Sequence, residues 1–207
     1  MGEKITHQKL KKIYFSQVNE FTKIIDILMK DLNRVVDKSN EMINKDKQKS
    51  EKIFLDQQET WLRQANRITI TSIEAICFKM KQITLLLFDN TDKNLSQNDR
   101  EKLSEKKNDG SPRYLRTNEN VKFAFKMFAK VLGFPFKIRF DEKWANFLKV
   151  IEIRNSLTHP KSSNDLKISV RDHNNTADAF IWFNSLIKQF LNEMDKHKKI
   201  KIKLETS

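Results

Sequence analysis

The residues best suited to chemistry lie close together, between Arg154 and Lys161. His159 carries an imidazole, which titrates near neutral pH and can accept or donate a proton. Arg154 carries a guanidinium, whose planar donors fit the oxygens of a phosphate group. Asn155 can orient the imidazole or bond a phosphate oxygen, and Lys161 adds a second cation. These residue types in one short run suit general acid–base chemistry on a phosphodiester.

A helix must position this run, and the preceding segment predicts one. Asp141 is a suitable N-cap, and apolar residues follow it at helical spacing. Pro160 removes a backbone donor and disfavours helical dihedrals at His159, so the helix is expected to end there. The apolar stripe consists of Trp144, Phe147, Leu148 and Ile151.

The same stripe continues into Arg154, Asn155 and Thr158, which are therefore expected to turn toward the interior. Buried polar side chains are costly unless they are bonded or used. A second apolar row at Val150, Ile153 and Leu157 leaves one side of the helix freely solvated. That side holds Lys149, Glu152 and Ser156.

Two interpretations of Arg154 and His159 remain open. In an unbroken helix their five-residue separation places them on different faces, but the turn before Pro160 can bring both toward one cleft. Alternatively, Arg154 forms an ion pair with an acid and His159 only caps the helix C-terminus. Glu74, the one acid within the apolar region of residues 68–88, is either a partner for Arg154 or a surface residue.

The run Arg154-Asn155-x-x-x-His159 resembles the R-polar-x-x-x-H signature of the HEPN superfamily (higher eukaryotes and prokaryotes nucleotide-binding domain). The resemblance covers mainly the segment from about residue 60 to about residue 195, and Arg154 to Lys161 is its specific motif. It implies an all-α helical bundle that acts as a metal-independent endoribonuclease. It also implies a homodimer with two Arg/His sets facing a shared cleft.

The resemblance makes Arg154, His159 and Asn155 the predicted catalytic residues, with RNA cleaved by attack of its own 2′-hydroxyl. It further implies a toxin or anti-phage defence role, with an antitoxin or regulatory protein as a partner. Some relatives are modified on a Tyr two residues beyond the His, where this chain has Lys161. That mode of regulation is therefore not expected. The predicted RNA contacts are Lys161, Thr158, Lys137 and Arg139.

Charge and composition agree with a polyanionic partner. The 207-residue chain has 40 Lys and Arg against 27 Asp and Glu, a net charge of +13. This balance favours RNA or DNA over a membrane surface, although AT-rich codon usage, which raises the Lys content, explains it equally well. The alternative function is a non-catalytic helical module that binds RNA or a protein through this basic surface.

Several classes of site are not expected. Only 3 glycines are present, so a Gly-rich phosphate loop is excluded. His7, His173 and His197 show no metal-ligand spacing, so neither a metal nor another cofactor is predicted. The single Cys77 is expected to be a buried core residue, which fits a reducing, cytoplasmic location. The apolar stretch of residues 68–88 contains three charged residues and is not expected to span a membrane.

The chain is expected to form one helical domain over 1–207, built from about five to six helices. Residues 1–50 are expected to be an N-terminal helical extension, which packs on its own bundle or on a second subunit, and 89–116 an exposed insertion. Few Gly and Pro favour long helices. Helices are predicted over 9–48 and 53–88, after Ser96, from Thr117 or Asn118 to Gly133, from Asp141, and from Thr176. The aromatic–basic link 134–140 either stacks on bases or packs in the core.

Overall fold

A computed structural model describes residues 7–44, 51–90 and 94–205 of this chain. Its regular structure is helical, which confirms the expected all-α class. Long helices at both ends follow from extended apolar periodicity with no interior glycine or proline. The α-helices are α1 (His7–Asn44), α2 (Glu51–Asp89), α3 (Gln97–Ser104), α4 (Thr117–Leu132), α5 (Glu142–Thr158) and α6 (Val170–Glu205), with a short 3-10 helix at Ser163–Leu166. Among the described residues, no helix is long and apolar enough to cross a bilayer.

The chain divides into two compact units, and α1, α2 and α6 contribute residues to both. Unit 1 comprises Met1–Asp26, Glu74–Ile138 and Lys188–Ser207. Unit 2 comprises Ile27–Ile73 and Arg139–Ile187. The motif at the end of α5 therefore belongs to unit 2.

Unit 1 has a phenylalanine core. Phe190 of α6 lies at its centre, with ring centroids 5.2 Å from Phe125, 5.3 Å from Phe134 and 4.9 Å from Phe136. Edge-to-face and tilted contacts between aromatic rings stabilise the fold by more than the burial of their apolar surface alone. Phe134 and Phe136 therefore pack in the core of unit 1, in agreement with the core-packing interpretation of the link, whereas Phe140 at its end is exposed.

A buried ion pair anchors the middle of the expected insertion to α2. Lys81 has only 1% of its side chain exposed, and its ammonium pairs with Glu105 at the C-cap of α3. Leu103, two residues earlier, is completely buried. A buried ammonium is tolerated only when a counter-charge and hydrogen bonds satisfy it. The segment around α3 is thus held by a charged contact as well as by an apolar one.

Cys77 lies in the core of unit 1, which confirms its predicted burial. Its side chain is 0% exposed, and burial raises the pKa of the thiol to about 12. The nearby Lys81 ammonium lowers this pKa, because a positive charge favours the thiolate, but by less than burial raises it. At any physiological pH the residue is a neutral thiol that behaves as a small apolar side chain.

Two helix starts differ from expectation. Helix α4 has Arg116 as its N-cap, with no side-chain cap, and Thr117 instead donates its hydroxyl to Glu74 at 2.7 Å. The prediction that Thr117 or Asn118 caps this helix is therefore wrong, because the Thr117 hydroxyl is committed to α2. Gly133 ends α4 in the left-handed conformation at φ 83°, as predicted.

Helix α6 begins at Val170 rather than at Thr176. The Asp172 N–H donates to Ser169 Oγ at 3.2 Å, and the Ser169 N–H donates to Asp172 Oδ2 at 2.9 Å. This reciprocal capping box satisfies two backbone donors and starts the helix early. The loop expected to extend to Asn175 therefore ends at residue 169.

The early start of α6 buries His173 in unit 2. Its side chain is 2% exposed, and Nε2 lies 3.0 Å from Asn40 Oδ1. The other ring nitrogen, Nδ1, is buried without a hydrogen-bond partner among the described residues. Desolvation therefore lowers the pKa of His173 below its ordinary value of 6.5.

Acidification is expected to destabilise unit 2 through His173. Because the folded-state pKa lies below the unfolded one, the unfolded chain binds more protons between the two values, and stability falls as the pH drops below about 6.5. Urea unfolding at pH 7.5 and pH 5.0 measures this loss. His173→Gln removes the titration while keeping an amide for Asn40, so its stability should fall less over that interval. An equal fall in both proteins would contradict the assignment.

Candidate functional site at the end of helix α5

Helix α5 begins and ends where the sequence predicts. Asp141 accepts a hydrogen bond from the Trp144 N–H at 3.1 Å, as an N-cap does. His159 is the C-cap, with φ −128° and ψ 61°, and its N–H still donates to the Asn155 carbonyl at 3.0 Å. Pro160 then prevents continuation. The imidazole thus lies on the first non-helical residue after α5.

The buried face of α5 differs from the predicted stripe. Its buried residues are Trp144, Phe147, Val150 and Leu157. Asn155, Thr158 and His159 are exposed, and only Arg154 is half-buried. The expectation that Asn155 and Thr158 turn inward is therefore wrong, because the row through Val150 faces the core while Leu148 and Ile151 are only partly covered.

Arg154 and Asn155 interact directly. Arg154 Nη1 donates to Asn155 Oδ1 at 3.2 Å. The Thr158 hydroxyl turns back onto α5 and donates to the Arg154 carbonyl at 2.8 Å. The Asn155 side chain therefore contacts the guanidinium rather than the imidazole. Thr158 bonds its own helix, although its exposed position leaves it accessible.

The His159 and Lys161 side chains are exposed, and neither forms a hydrogen bond or ion pair with a described residue. The backbone after them is nevertheless fixed. Lys161 N–H and Ser162 N–H donate to Asp165 Oδ2 at 2.8 and 3.0 Å. This bonding caps the 3-10 helix and holds the turn in one conformation.

Two arginines of α2 hold the end of α5 and the following link. Arg67 Nη2 donates to the Leu157 carbonyl at 2.8 Å, and Arg63 Nη1 donates to the Leu166 carbonyl at 3.2 Å. The last carbonyls of a helix lack intrahelical partners, so a cation beside them is stabilising. Sequence reasoning missed these positioning residues. Their only signal is a pair of cations four residues apart on the same helix.

The remaining predicted RNA contacts are Lys137 and Arg139, and both are exposed. Lys137 belongs to unit 1, whereas Arg139 belongs to unit 2 and precedes the N-cap of α5. Arg139 therefore lies in the unit of the motif but at the opposite end of α5. Among the residues whose side chains are described, no group of three or more His, Cys, Asp or Glu is arranged to hold a metal ion.

The side of α5 predicted to be freely solvated is exposed, and it lines one wall of an open cavity. Lys149, Glu152 and Ser156 of α5 face Lys167 of the link and Arg171 of α6 across a volume of about 480 Å³. We call this the α5–α6 cavity. None of the predicted catalytic residues is among its lining residues. The signal that locates it is the charged row on α5 together with Lys167 and Arg171, which the link brings opposite that row.

Comparison of the chain with protein-family models, with curated proteins and with solved structures found no match. The likeness to the HEPN signature therefore stays a prediction that depends on the residues from Arg154 to Lys161.

Proposed function

We propose that this protein is a metal-independent endoribonuclease in which His159 transfers the proton and Arg154 binds the phosphate. One observation carries the proposal. His159 is exposed at the C-terminus of α5, its imidazole forms no hydrogen bond with a described residue, and Arg154-Asn155 precedes it in the same helix. An exposed imidazole that the fold does not use can exchange a proton with a bound strand.

The reaction uses a nucleophile that RNA supplies itself. His159 removes the proton from a ribose 2′-hydroxyl, and the 2′-oxygen attacks the adjacent phosphorus. The bond to the 5′-oxygen of the next nucleotide breaks, which leaves a 2′,3′-cyclic phosphate and, after protonation, a free 5′-hydroxyl. Arg154 stabilises the negative charge that develops on the phosphate oxygens.

Asn155 supports the role of Arg154. The Arg154 guanidinium is half-buried and donates to Asn155 Oδ1 at 3.2 Å, so it loses less conformational entropy when it binds a phosphate. A guanidinium presents a planar fork of donors, which matches the oxygens of a phosphate group. The exposed Lys161 adds a cation on the turn beyond the imidazole.

The leaving 5′-oxygen needs a proton, and one histidine acts poorly as both base and acid in one step. A homodimer that brings a second His159 to the same phosphate meets this need, and we include it in the proposal. A net charge of +13 favours binding of the RNA strand. Cleavage of cellular RNA then makes the protein a cytoplasmic toxin or defence effector under the control of an antitoxin or regulatory protein.

A second candidate is a non-catalytic module that binds RNA. At 3.6 residues per turn, the five positions between Arg154 and His159 correspond to a rotation of about 140° around α5. Within one chain this separation favours two independent contacts over one concerted site. In this alternative the exposed imidazole and the guanidinium each bind the strand without cleaving it.

The purified chain is expected to cleave single-stranded RNA in the presence of EDTA, because the proposed chemistry uses no metal. Incubation with a 5′-labelled oligonucleotide, followed by mass spectrometry, should identify fragments with 2′,3′-cyclic phosphate and 5′-hydroxyl ends. A DNA strand of the same sequence lacks the nucleophile and should stay intact. Fragments with 3′-hydroxyl ends, or activity lost on chelation, would contradict the mechanism. Binding without cleavage would favour the second candidate.

A further inference from the structure

The α5–α6 cavity lies beside the motif, and the proposed chemistry does not use it. Its lining comes from α5, the 3-10 helix, the following link and the start of α6, all within unit 2. The cavity has a volume of about 480 Å³ and is open to solvent, and Ile153 gives it one apolar wall. The remaining walls are polar or charged, which points to a charged and hydrogen-bonding ligand.

The cavity has equal numbers of cationic and acidic side chains, but they differ in how many of their hydrogen-bonding groups are already used within the fold. Its cations are Lys149, Lys167 and Arg171, and its acids are Glu152, Asp165 and Asp172. Asp165 already accepts from two backbone N–H groups, and Asp172 accepts from the Ser169 N–H and, at 2.7 Å, from the Ser169 hydroxyl.

The cations, in contrast, are available to a ligand. Lys167 and Arg171 form no hydrogen bond or ion pair through their side chains with any described residue, and Lys149 has only a contact of 3.4 Å with Asn146. The formal charges of the lining sum to zero, but two of its three carboxylates already accept hydrogen bonds from the fold, whereas its cationic donors are mostly unused. Cationic donors that the fold leaves unused match the oxygens of an anionic group.

Contacts with the core of unit 2 fix the link that carries Lys167. Ile168 is buried in an apolar cluster with Leu62 and Leu157, and the Lys167 N–H donates to the Asn164 carbonyl at 3.1 Å. Arg171 lies in the first turn of α6, where the helix dipole adds positive potential. The backbone at Lys167 and Arg171 is therefore preorganised, which lowers the entropic cost of binding a ligand.

We propose that the α5–α6 cavity binds a nucleotide through its phosphate group. The planar fork of Arg171 is matched to two phosphate oxygens, and Lys167 and Lys149 supply point charges around them. Ser156 and Asn175 offer donors and acceptors for the ribose or base, and Ile153 offers an apolar surface.

The position of the cavity identifies the nucleotide as part of an RNA strand, an assignment that rests on the proposed function. Along α5 the row Lys149, Glu152 and Ser156 lines the cavity, and His159 is the next residue of that row at spacings of three, four and three. His159 lies one helical turn beyond Ser156, about 5 Å along the axis. A strand with one phosphate in the cavity can therefore present a neighbouring phosphodiester to His159.

The test uses the full-length chain carrying His159→Ala, so that RNA binding is measured without turnover. Amide chemical shifts of Lys149, Ser156, Lys167 and Arg171 should change on addition of either a 12-nucleotide single-stranded RNA or AMP. In this background Lys167→Ala with Arg171→Gln should weaken RNA binding by about tenfold or more, since charged hydrogen bonds to phosphate are lost. Lys126→Gln, which removes an exposed cation of α4, should change binding by less than about twofold.

The outcomes separate the nucleotide sources and the two proposals. RNA binding at least about tenfold tighter than AMP assigns the cavity to a strand, and equal affinities assign it to a free nucleotide. If the cavity variant binds RNA more weakly and the wild-type chain cleaves no RNA, the cavity proposal is supported and the ribonuclease proposal is contradicted. The opposite result is that the wild type cleaves RNA while the cavity variant binds RNA as tightly as its parent and the shift changes lie at other residues. That result contradicts the cavity proposal and leaves the ribonuclease proposal intact.

Discussion

His159→Ala is expected to lower the rate of RNA cleavage by about 10²–10⁴-fold while leaving RNA affinity nearly unchanged. Loss of a general acid or base removes proton transfer from the transition state and has an effect of this size. The side chain is exposed and forms no hydrogen bond with a described residue, so its removal should cost the fold little. Single-turnover cleavage and a binding titration on the same preparations separate the two quantities.

A matched variant distinguishes a catalytic imidazole from a helix cap. His197→Ala removes the imidazole that contacts Phe134 in unit 1, and it should keep wild-type cleavage once the folded fraction is taken into account. If His159 merely caps α5, His159→Ala should lower the melting temperature slightly and leave the cleavage rate intact. That result would rule out a role for His159 in the reaction.

The second large effect is expected at the buried ion pair of unit 1. Glu105→Gln should destabilise the protein by about 3 kcal/mol, because the Lys81 ammonium, only 1% exposed, loses its counter-charge and cannot reach water. For a chain of this size the loss corresponds to a fall of about 6–12 °C in melting temperature. Calorimetry or urea unfolding measures it directly.

The reverse substitution should cost less. Glu105 has 25% of its side chain exposed, so Lys81→Met leaves a carboxylate that water can still solvate. Combining Lys81→Met with Glu105→Gln removes both charges and should recover most of the stability lost by Glu105→Gln alone. If Glu105→Gln is no more destabilising than Lys126→Met on the exposed side of α4, the pair is not a buried interaction in solution.

The helices were predictable because each is encoded by local periodicity. Apolar residues at spacings of three and four define α1 and α2, and Asp141 and Pro160 mark the ends of α5. The segment from Ile68 to Ile73 stays helical despite its strand propensity, since the flanking periodicity continues through it. The start of α6 differs from the prediction, although Ser169-x-x-Asp172 encodes it locally as a capping signal.

The candidate site was predictable only as a set of residues in one helix and the following turn. The end of α5 and the exposure of His159 follow from Pro160, whereas the outward position of Asn155 depends on which row of α5 faces the core. The α5–α6 cavity and the carbonyl contact of Arg67 join residues far apart in sequence, and no local pattern encodes such pairs. The same holds for Lys81 and Glu105, which are 24 residues apart.

The chemistry of Cys77 makes the protein convenient for site-specific labelling. The chain has 1 cysteine, which is completely buried and has a pKa of about 12, so maleimides in neutral buffer meet almost no thiolate. A fluorophore or spin label can therefore be attached to a cysteine introduced at Lys161 or Lys167 in the otherwise native sequence. Cys77 does not have to be replaced first, so the core is spared the cavity that a smaller residue would leave.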